Sequence, residues 1–422
     1  MKFEHCIRCT ICVENCPVFS VEPKFPGPKQ AGPDAQRFRM DGEVSVDTWV
    51  LFCNQCKRCE TACPYGVDVS EIILKAQIKY VEEHGRSIAN YMFANTYNIG
   101  ILASAFAPIV NKIINTNLVK NIMRVIGIST YIPFPRYRAF TLSKGRRKVG
   151  KGSKKVVFFY GCYLNFNRPD IGRKIRSILV SMGLEVITPH QVCCGLPALG
   201  NGDLDRARRF ANKNAGILVH YINRGYDVVY ACTSCGLTLV RDYPGIMDLP
   251  DGKKISENTY NVHEYILNLI EEGYIKPGFG QVNMRIAYHM PCHLKALGIG
   301  YPAARLFEKI PGLEYRVLED NCCGMAGTYG FKEKNKETSI QIGRLATLPI
   351  LEYKPDAIAS DCGACRMQLG GLTGIRQLDP SEIIFESLKV GLSTIKYSKG
   401  KGHDKETDSR FIKRNIRKGG QV

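Results

Sequence analysis

Eight cysteines fall in two runs of identical spacing, Cys6-x2-Cys9-x2-Cys12-x3-Cys16-Pro17 and Cys53-x2-Cys56-x2-Cys59-x3-Cys63-Pro64. Three thiolates spaced this way can cap three corners of an iron–sulfur cube, and in such runs the fourth, followed by proline, ligates the other cluster. The pattern predicts two [4Fe–4S] clusters. One would sit on Cys6, Cys9, Cys12 and Cys63, the other on Cys53, Cys56, Cys59 and Cys16. A pair of zinc ribbons is the competing reading, but zinc takes four ligands per site and its usual C-x2-C pairs do not produce this eightfold pattern. Thiols that simply pack are the blander alternative. The chemistry implied is electron transfer.

The other ten cysteines form a repeat. Cys162 precedes Cys292 by 130 residues, Cys193-Cys194 precedes Cys322-Cys323 by 129, and Cys232-x2-Cys235 precedes Cys362-x2-Cys365 by 130. Buried cysteines are common as small apolar residues, yet five at matched positions in two copies point to metal or redox chemistry. Five thiolates exceed what a zinc ion or a cubane needs, so either one is catalytic or the cluster is unusual. Thiolate charge calls for nearby donors. His289 and His293 bracket Cys292 and His263 lies between the copies, each a candidate donor or proton carrier that could equally be structural.

Short apolar runs before these cysteines position them. Val156–Tyr160 matches Arg285–His289, and Asp227–Ala231 matches Asp356–Ser360; bounded and apolar, they read as buried strands. Helical stretches over Ile171–Met182, Asp203–Arg224, Ala303–Ile310 and Glu337–Tyr353 alternate with them, which implies one parallel sheet per copy. Ligands of such sheets gather beyond the strand ends, where every cysteine group falls. Gly195 and Gly324 follow the paired cysteines, where adjacent ligands demand a turn free of a Cβ. Near the N-terminus, Pro23, Pro26, Pro28 and Pro33 mark a loop, and Val69–His84 reads as an amphipathic helix with Ile72, Ile73, Ala76 and Tyr80 on one side. The fold class is multidomain α+β, a helical two-cluster domain followed by two repeated α/β cysteine-rich modules. The expected divisions are 1–83 for the cluster domain, 84–154 for a linker, 155–280 and 281–395 for the modules, and 396–422 for a disordered basic tail.

A chain of 422 residues exceeds a single core and suggests about three domains. Eighteen cysteines with no apolar targeting segment at the start argue for metal sites in a reducing compartment, with the protein staying in the cytoplasm. The net charge of +19 is concentrated: from His84 to Pro169 there are fourteen Lys or Arg and no Asp or Glu. The same segment holds apolar text from Ile99 to Val110, then Leu118, Val119, Ile122, Met123, Val125, Ile126 and Ile128 at helical spacing. Pro108 interrupts it, and no run is long enough for a hydrocarbon core of roughly 30 Å, so no transmembrane helix is expected. An apolar stripe flanked by cations instead suits an anionic membrane surface. Arg136, Arg138, Lys144, Arg146, Arg147, Lys148, Lys151, Lys154 and Lys155 are the candidate anchors. Docking of the stripe on a neighbouring domain is the alternative, and no nucleic-acid motif accompanies the charge. Neither a G-x-G-x-x-G after a strand nor a P-loop occurs. The chain therefore carries electron carriers without a recognisable place to oxidise an organic substrate, which assigns that step to a partner protein.

The paired Cys-Cys-Gly repeats resemble the cysteine-rich domain of heterodisulfide reductases and of glycolate and lactate oxidase iron–sulfur subunits. Within that group the chain is most similar to the iron–sulfur subunits of anaerobic glycerol-3-phosphate dehydrogenases. The residues carrying the likeness are Pro26-Gly27-Pro28-Lys29-Gln30-Ala31-Gly32-Pro33-Asp34, Phe106–Asn111, Tyr288-His289-x-Pro291-Cys292-His293 and Cys322-Cys323-Gly324-Met325-Ala326-Gly327-Thr328-Tyr329-Gly330-Phe331-Lys332. The resemblance implies an electron-transferring subunit held peripherally at the cytoplasmic side of the inner membrane. It would be fed by flavoprotein dehydrogenase subunits and would pass electrons to menaquinone. It also implies one or two further [4Fe–4S] clusters of non-cubane type on the ten module cysteines. A heterodisulfide reductase-like thiol–disulfide enzyme, or the equivalent subunit of a lactate or glycolate oxidase, is the alternative.

Overall fold

A computed structural model describes residues 2–40, 47–145, 148–318 and 321–394. Arg146, Arg147 and the tail at 396–422 lie outside the described residues.

Two sheets organise the chain. The first contains β1 (Lys148–Val149), β2 (Lys155–Phe159), β3 (Glu185–Ile187), β4 (Asp227–Tyr230) and β5 (Thr259–Asn261) in the order β1-β3-β2-β4-β5. The second contains β6 (Met284–His289), β7 (Leu313–Leu318), β8 (Ala357–Ala359) and β9 (Arg376–Leu378) in the order β7-β6-β8-β9. Matching β2 to β6, β3 to β7, β4 to β8 and β5 to β9 gives the same strand order twice. All pairings within this shared core are parallel. Helices cover the faces, so the central strands are apolar without alternation: Val156 to Phe159, Val228 to Tyr230 and Ala357 to Ala359 are all buried. In each sheet the chain leaves the first strand toward one neighbour and returns to the other. That reversal opens a crevice beyond the strand ends, between β2 and β4 and again between β6 and β8. The parallel register sets Phe159 beside Tyr230, so Cys162 and Cys232 emerge on the same edge.

The expected helices form, their ends shifted by up to three residues: Pro169–Ser181, Leu204–Ile222, Pro302–Phe307 and Lys336–Tyr353, with Val69–His84 matching its expected bounds. Five strands, β1, β3, β5, β7 and β9, go beyond the sequence reading, which covers only the four that form β2, β4, β6 and β8. β1 comes from the linker and adds to the edge of the first sheet antiparallel to β3, and two residues are too few to show a period.

The modules are not independent. Tyr160, Leu164, Ile171 and Ile175 of the first share one core with Tyr288, Ala303, Phe307 and Ile384 of the second. Glu382 joins Arg168 and Lys174 across that seam at 3.0 and 3.1 Å. The N-terminal cysteine domain packs its own core, which includes Val18, Phe25, Ile72 and Ile73, against Cys322 and Ile342 of the second module. The linker folds into four short helices, Ile88–Ala94, Thr96–Ala105, Ala107–Ile113 and Asn117–Val125. Ser87 caps the first by accepting the Asn90 N–H, and Pro108 falls in the first turn of the third, where its missing N–H is not needed. Phe93, Ile128 and Ile132 bury their side chains against the second module. Ile101, Leu102, Phe106, Ile109, Leu118, Ile122 and Val125 are exposed. No helix among the described residues is long and apolar enough to cross a membrane.

Candidate metal centres

The eight N-terminal cysteines gather in two groups. Cys6, Cys9, Cys12 and Cys63 line one small cavity, and Cys16, Cys53, Cys56 and Cys59 line a second. The grouping in space is the crossed one. Within each run the residues two and four places after the first cysteine hold positive φ: Arg8 (61°) and Thr10 (65°), then Gln55 (59°) and Lys57 (62°). Such conformations are costly for residues with a Cβ and mark functional turns. Here they curl each run around its thiols; the Gln55 N–H donates to Cys53, and the Val18 and Phe19 N–H groups donate to Cys16, a favourable lining for thiolate sulfur. The Val67 N–H reaches Cys63 Sγ at 3.4 Å and the Gln55 amide reaches Cys53 Sγ at 3.5 Å. Burial, then the neighbouring Cys6, Cys63 and Cys9 thiols, push Cys12 up to about 11. Crowded thiols resist ionising unless a cation compensates them, which is the service a metal cluster performs.

The ten module cysteines repeat one contact pattern. In the first module the thiols touch in the order Cys162, Cys193, Cys194, Cys235, Cys232. In the second they touch in the order Cys292, Cys322, Cys323, Cys365, Cys362. These are the same positions of the repeat. Gly195 and Gly324 turn the backbone at φ of 105° and 83°, and their N–H groups reach Cys193 Sγ at 3.5 Å and Cys322 Sγ at 3.4 Å. A Cβ on Gly324 would lie 2.3 Å from the Ser339 carbonyl, so no other residue fits there. Cys232 and Cys362 stand at helix N-termini. A hydrogen bond from the Cys365 thiol pulls Cys362 down to about 6. Five convergent thiols, aligned N–H donors and a turn without a Cβ suit an iron–sulfur cluster in each module.

The two systems meet. Cys322 is held well below the ordinary thiol range by hydrogen bonds from Cys292, Cys323 and Cys56, the last reaching it from the N-terminal domain. The Asn54 amide lies 4.0 Å from Cys322 Sγ. Cys56 and Cys322 are 266 positions apart, and nothing in the spacing announces their contact. Cys9 by contrast is exposed, among the exposed side chains of Ile7, Ile11 and Tyr65.

The three histidines take different places. His289 is buried with its ring nitrogen within 4.8 Å of Cys323 and Cys365 Sγ, and burial lowers it to about 4, which keeps the ring neutral. His293 lies 3.0 Å from Ser234 Oγ and 3.2 Å from the Gln55 carbonyl. His263 bonds Asp361 at 2.8 Å and Ser381 at 2.9 Å, and Tyr288 donates to the other oxygen of Asp361 at 2.6 Å. It thereby joins the modules beside Cys362 rather than meeting a thiol directly.

Beside the first module lies a cavity of roughly 390 Å³, lined by Cys162, Cys193, Cys194, Cys232 and Cys235 and reached by Cys53 and Cys362. Its other walls include the linker helices, the loop after Cys323, the segment after Cys194 and residues of the N-terminal domain such as Gln77 and Val81.

Residues 2–67 match the family described as a 4Fe-4S dicluster domain, and residues 156–240 and 286–370 each match the cysteine-rich domain. The chain is 33% identical over 394 residues to one of the subunits of the anaerobic glycerol-3-phosphate dehydrogenase of Escherichia coli (strain K12), covering 92% of this chain and 99% of that protein. This chain belongs to the family of that dehydrogenase subunit. It is thus an iron–sulfur protein. More distant relatives of this anaerobic glycerol-3-phosphate dehydrogenase family come from methanogens. One is part of the fumarate reductase (CoM/CoB) of Methanothermobacter marburgensis, 26% identical over 87% of this chain and 68% of that protein. Another is part of the dihydromethanophenazine:CoB–CoM heterodisulfide reductase of Methanosarcina barkeri, 23% identical over 93% and 95%.

Proposed function

We propose that this chain is the electron-transfer and membrane-docking subunit of an anaerobic glycerol-3-phosphate dehydrogenase complex, taking electrons from flavoprotein subunits and passing them to menaquinone. Cys6, Cys9, Cys12 and Cys63 would hold one [4Fe–4S] cluster and Cys16, Cys53, Cys56 and Cys59 a second. The five thiols of each module would hold one further cluster of non-cubane type. Bound clusters supply one-electron carriers. The polypeptide holds them in fixed order, donates N–H groups to their sulfurs and excludes water. The observation that carries this reading is the contact of Cys56 with Cys322, which joins the N-terminal cysteines to the modules, while Cys9 stays open to a donor. Electrons would enter near Cys9 and leave at the first module.

Attachment at the cytoplasmic face of the inner membrane, without spanning it, is supported by the linker. Among the described residues, more than half of the large apolar side chains that stay exposed lie between Ile88 and Phe140, in a segment with no acidic residue. Protein purified anaerobically should contain iron and sulfide yet fail to reduce a dye with glycerol 3-phosphate until the flavoprotein is added; such activity in its absence would refute the assignment.

A thiol–disulfide reaction is the second reading, favoured by the five module thiols that face the 390 Å³ cavity and by the relative named as part of a heterodisulfide reductase. Reoxidation of the dithionite-reduced protein by a disulfide but not by a quinone would select it.

A further inference from the structure

We propose that the 390 Å³ cavity binds the ring of a lipid-soluble quinone, with Tyr329 and Lys332 donating hydrogen bonds to its carbonyl oxygens. The inference rests on the electron-transfer reading and adds the place and the residues at which electrons leave the protein.

The cavity has two unlike walls. One carries the five cysteines of the first module; the other is built by Met92, Phe93, Ile99, Met123 and Phe134 of the linker together with Phe331. The same linker helices expose Ile101, Leu102, Phe106, Ile109, Leu118 and Ile122 on their outer side. A ligand that resides in a bilayer thus meets apolar surface outside and an apolar chamber inside, separated by one layer of short helices. A water-soluble substrate gains nothing from that arrangement.

Several polar groups that line the chamber lack partners. Tyr329 is 7% exposed, and its hydroxyl has no hydrogen-bond partner among the described residues; nor does the hydroxyl of Thr96 or Oδ1 of Asn201, which is 2% exposed. All three residues line the cavity. Buried polar atoms in folded proteins are nearly always paired, so an unpaired set facing one cavity points to a ligand. Lys332 lines the same cavity, and its ammonium has no hydrogen-bond or ion-pair partner among the described residues. Two-electron, two-proton reduction turns a quinone's pair of carbonyl acceptors into a pair of hydroxyl donors, the electrons coming from reduced iron–sulfur sites, one proton from the Lys332 ammonium and the other from solvent. Donors at Tyr329, Lys332 and Thr96 serve the first form, and the acceptor on Asn201 serves the second. A disulfide, with only weak sulfur acceptors, uses neither set.

The loop is held for this. Ala326 adopts a positive φ of 42°, and Ile128 pairs with Lys332 in an isolated antiparallel bridge, with the Ser129 N–H donating to the Phe331 carbonyl at 2.8 Å. Linker and loop are therefore one unit. Burial, and then Lys334, lower Lys332 to about 7, which suits a group that gives up a proton at neutral pH.

The test uses the full-length, iron-loaded protein and a naphthoquinone photolabel. Label is expected on the peptides that carry Phe93 and Lys332. Tyr329→Phe and Lys332→Met should each weaken naphthoquinone binding in equilibrium dialysis by roughly tenfold while iron content and visible spectrum stay as in the wild type. Label confined to other peptides, wild-type affinity in both variants, or displacement of the label by an aromatic disulfide but not by naphthoquinone overturns the site. Protein that the flavoprotein reduces yet that labels elsewhere loses only this site. Iron-loaded protein that the flavoprotein cannot reduce loses the function itself.

Discussion

Ser234 Oγ and His293 Nδ1 lie 3.0 Å apart, and through that contact one imidazole joins three cysteine motifs. Ser234 sits between Cys232 and Cys235 of the first module, and His293 follows Cys292 of the second. On its other side the ring meets the carbonyl of Gln55, between Cys53 and Cys56, at 3.2 Å. A carbonyl only accepts, so Nε2 carries the proton; burial lowers His293 to about 4, so the neutral ring accepts the Ser234 hydroxyl at Nδ1. The tautomer is fixed by its two partners, and with it the spacing of the three groups.

Removing this ring should loosen the assembly. His293→Leu is expected to cost about 1–3 kcal/mol, the penalty of unpairing buried polar groups, read as a lower thermal midpoint of the iron-loaded protein. Ser234→Ala alone should cost less, and the double variant should fall short of the sum because both delete the same bond. Additive effects would show that the two residues act separately.

The crossed grouping of the N-terminal thiols sets a second expectation. Cys63 shares its cavity with Cys6, Cys9 and Cys12, whereas Cys16 shares one with Cys53, Cys56 and Cys59. Cys63→Ala should therefore abolish the electron paramagnetic signal of the more exposed cluster, and Cys16→Ala that of the deeper one. Loss of the opposite signal in each case would reverse the ligand sets.

Much of this architecture is legible in the sequence because it is local or repeated. The five-cysteine offsets recur at 129 or 130 residues, and the strands before Cys162 and Cys292 are apolar runs that only a buried sheet explains. The helix at Val69–His84 follows from its period. Three features are not legible. β1 is too short to show alternation. The contact of Cys56 with Cys322 arises from how domains pack, and no spacing encodes it. In the linker, apolar period alone does not divide two faces: Ile128, at helical spacing with Leu118 and Ile122, is 2% exposed against the second module, while those two remain open. Tyr329 and Lys332 stand in the segment after Cys323 that carries the family likeness, but only the cavity gives them a task.

The proposed membrane attachment would fall to particular cations. Of the nine between Arg136 and Lys155, Lys148 pairs with Glu185 at 2.9 Å and Lys154 with Glu272 at 3.7 Å, so both are partly spent on the first module. Lys155 lies over the Tyr226 ring, and among the described residues Arg136, Arg138, Lys144 and Lys151 are the exposed cations that remain. Replacing these four by Gln should weaken binding to anionic vesicles by about 1 kcal/mol each, seen in sedimentation at low salt. Leu118→Asp with Ile122→Asp should weaken it in high salt as well, since that portion is apolar. Binding that ignores the four Gln substitutions at low salt would remove the electrostatic anchor.

Lys332 also predicts a pH dependence of stability. Its ordinary value of 10.5 falls to about 7 in the folded chain, through burial first and Lys334 second. Between these values the unfolded chain binds more protons than the native one, so this residue makes stability rise with pH. Its contribution is complete above 10.5 and is lost as pH falls to about 7, below which the ammonium must stay desolvated. Lys332→Met removes the titrating group while keeping an apolar side chain against Phe331 and the linker. The variant should therefore melt higher than the wild type near pH 6.5 and lose that advantage by about pH 10. Paired thermal unfolding curves at the two pH values measure the difference, and a constant gap between the proteins would mean that Lys332 stays charged and solvated throughout.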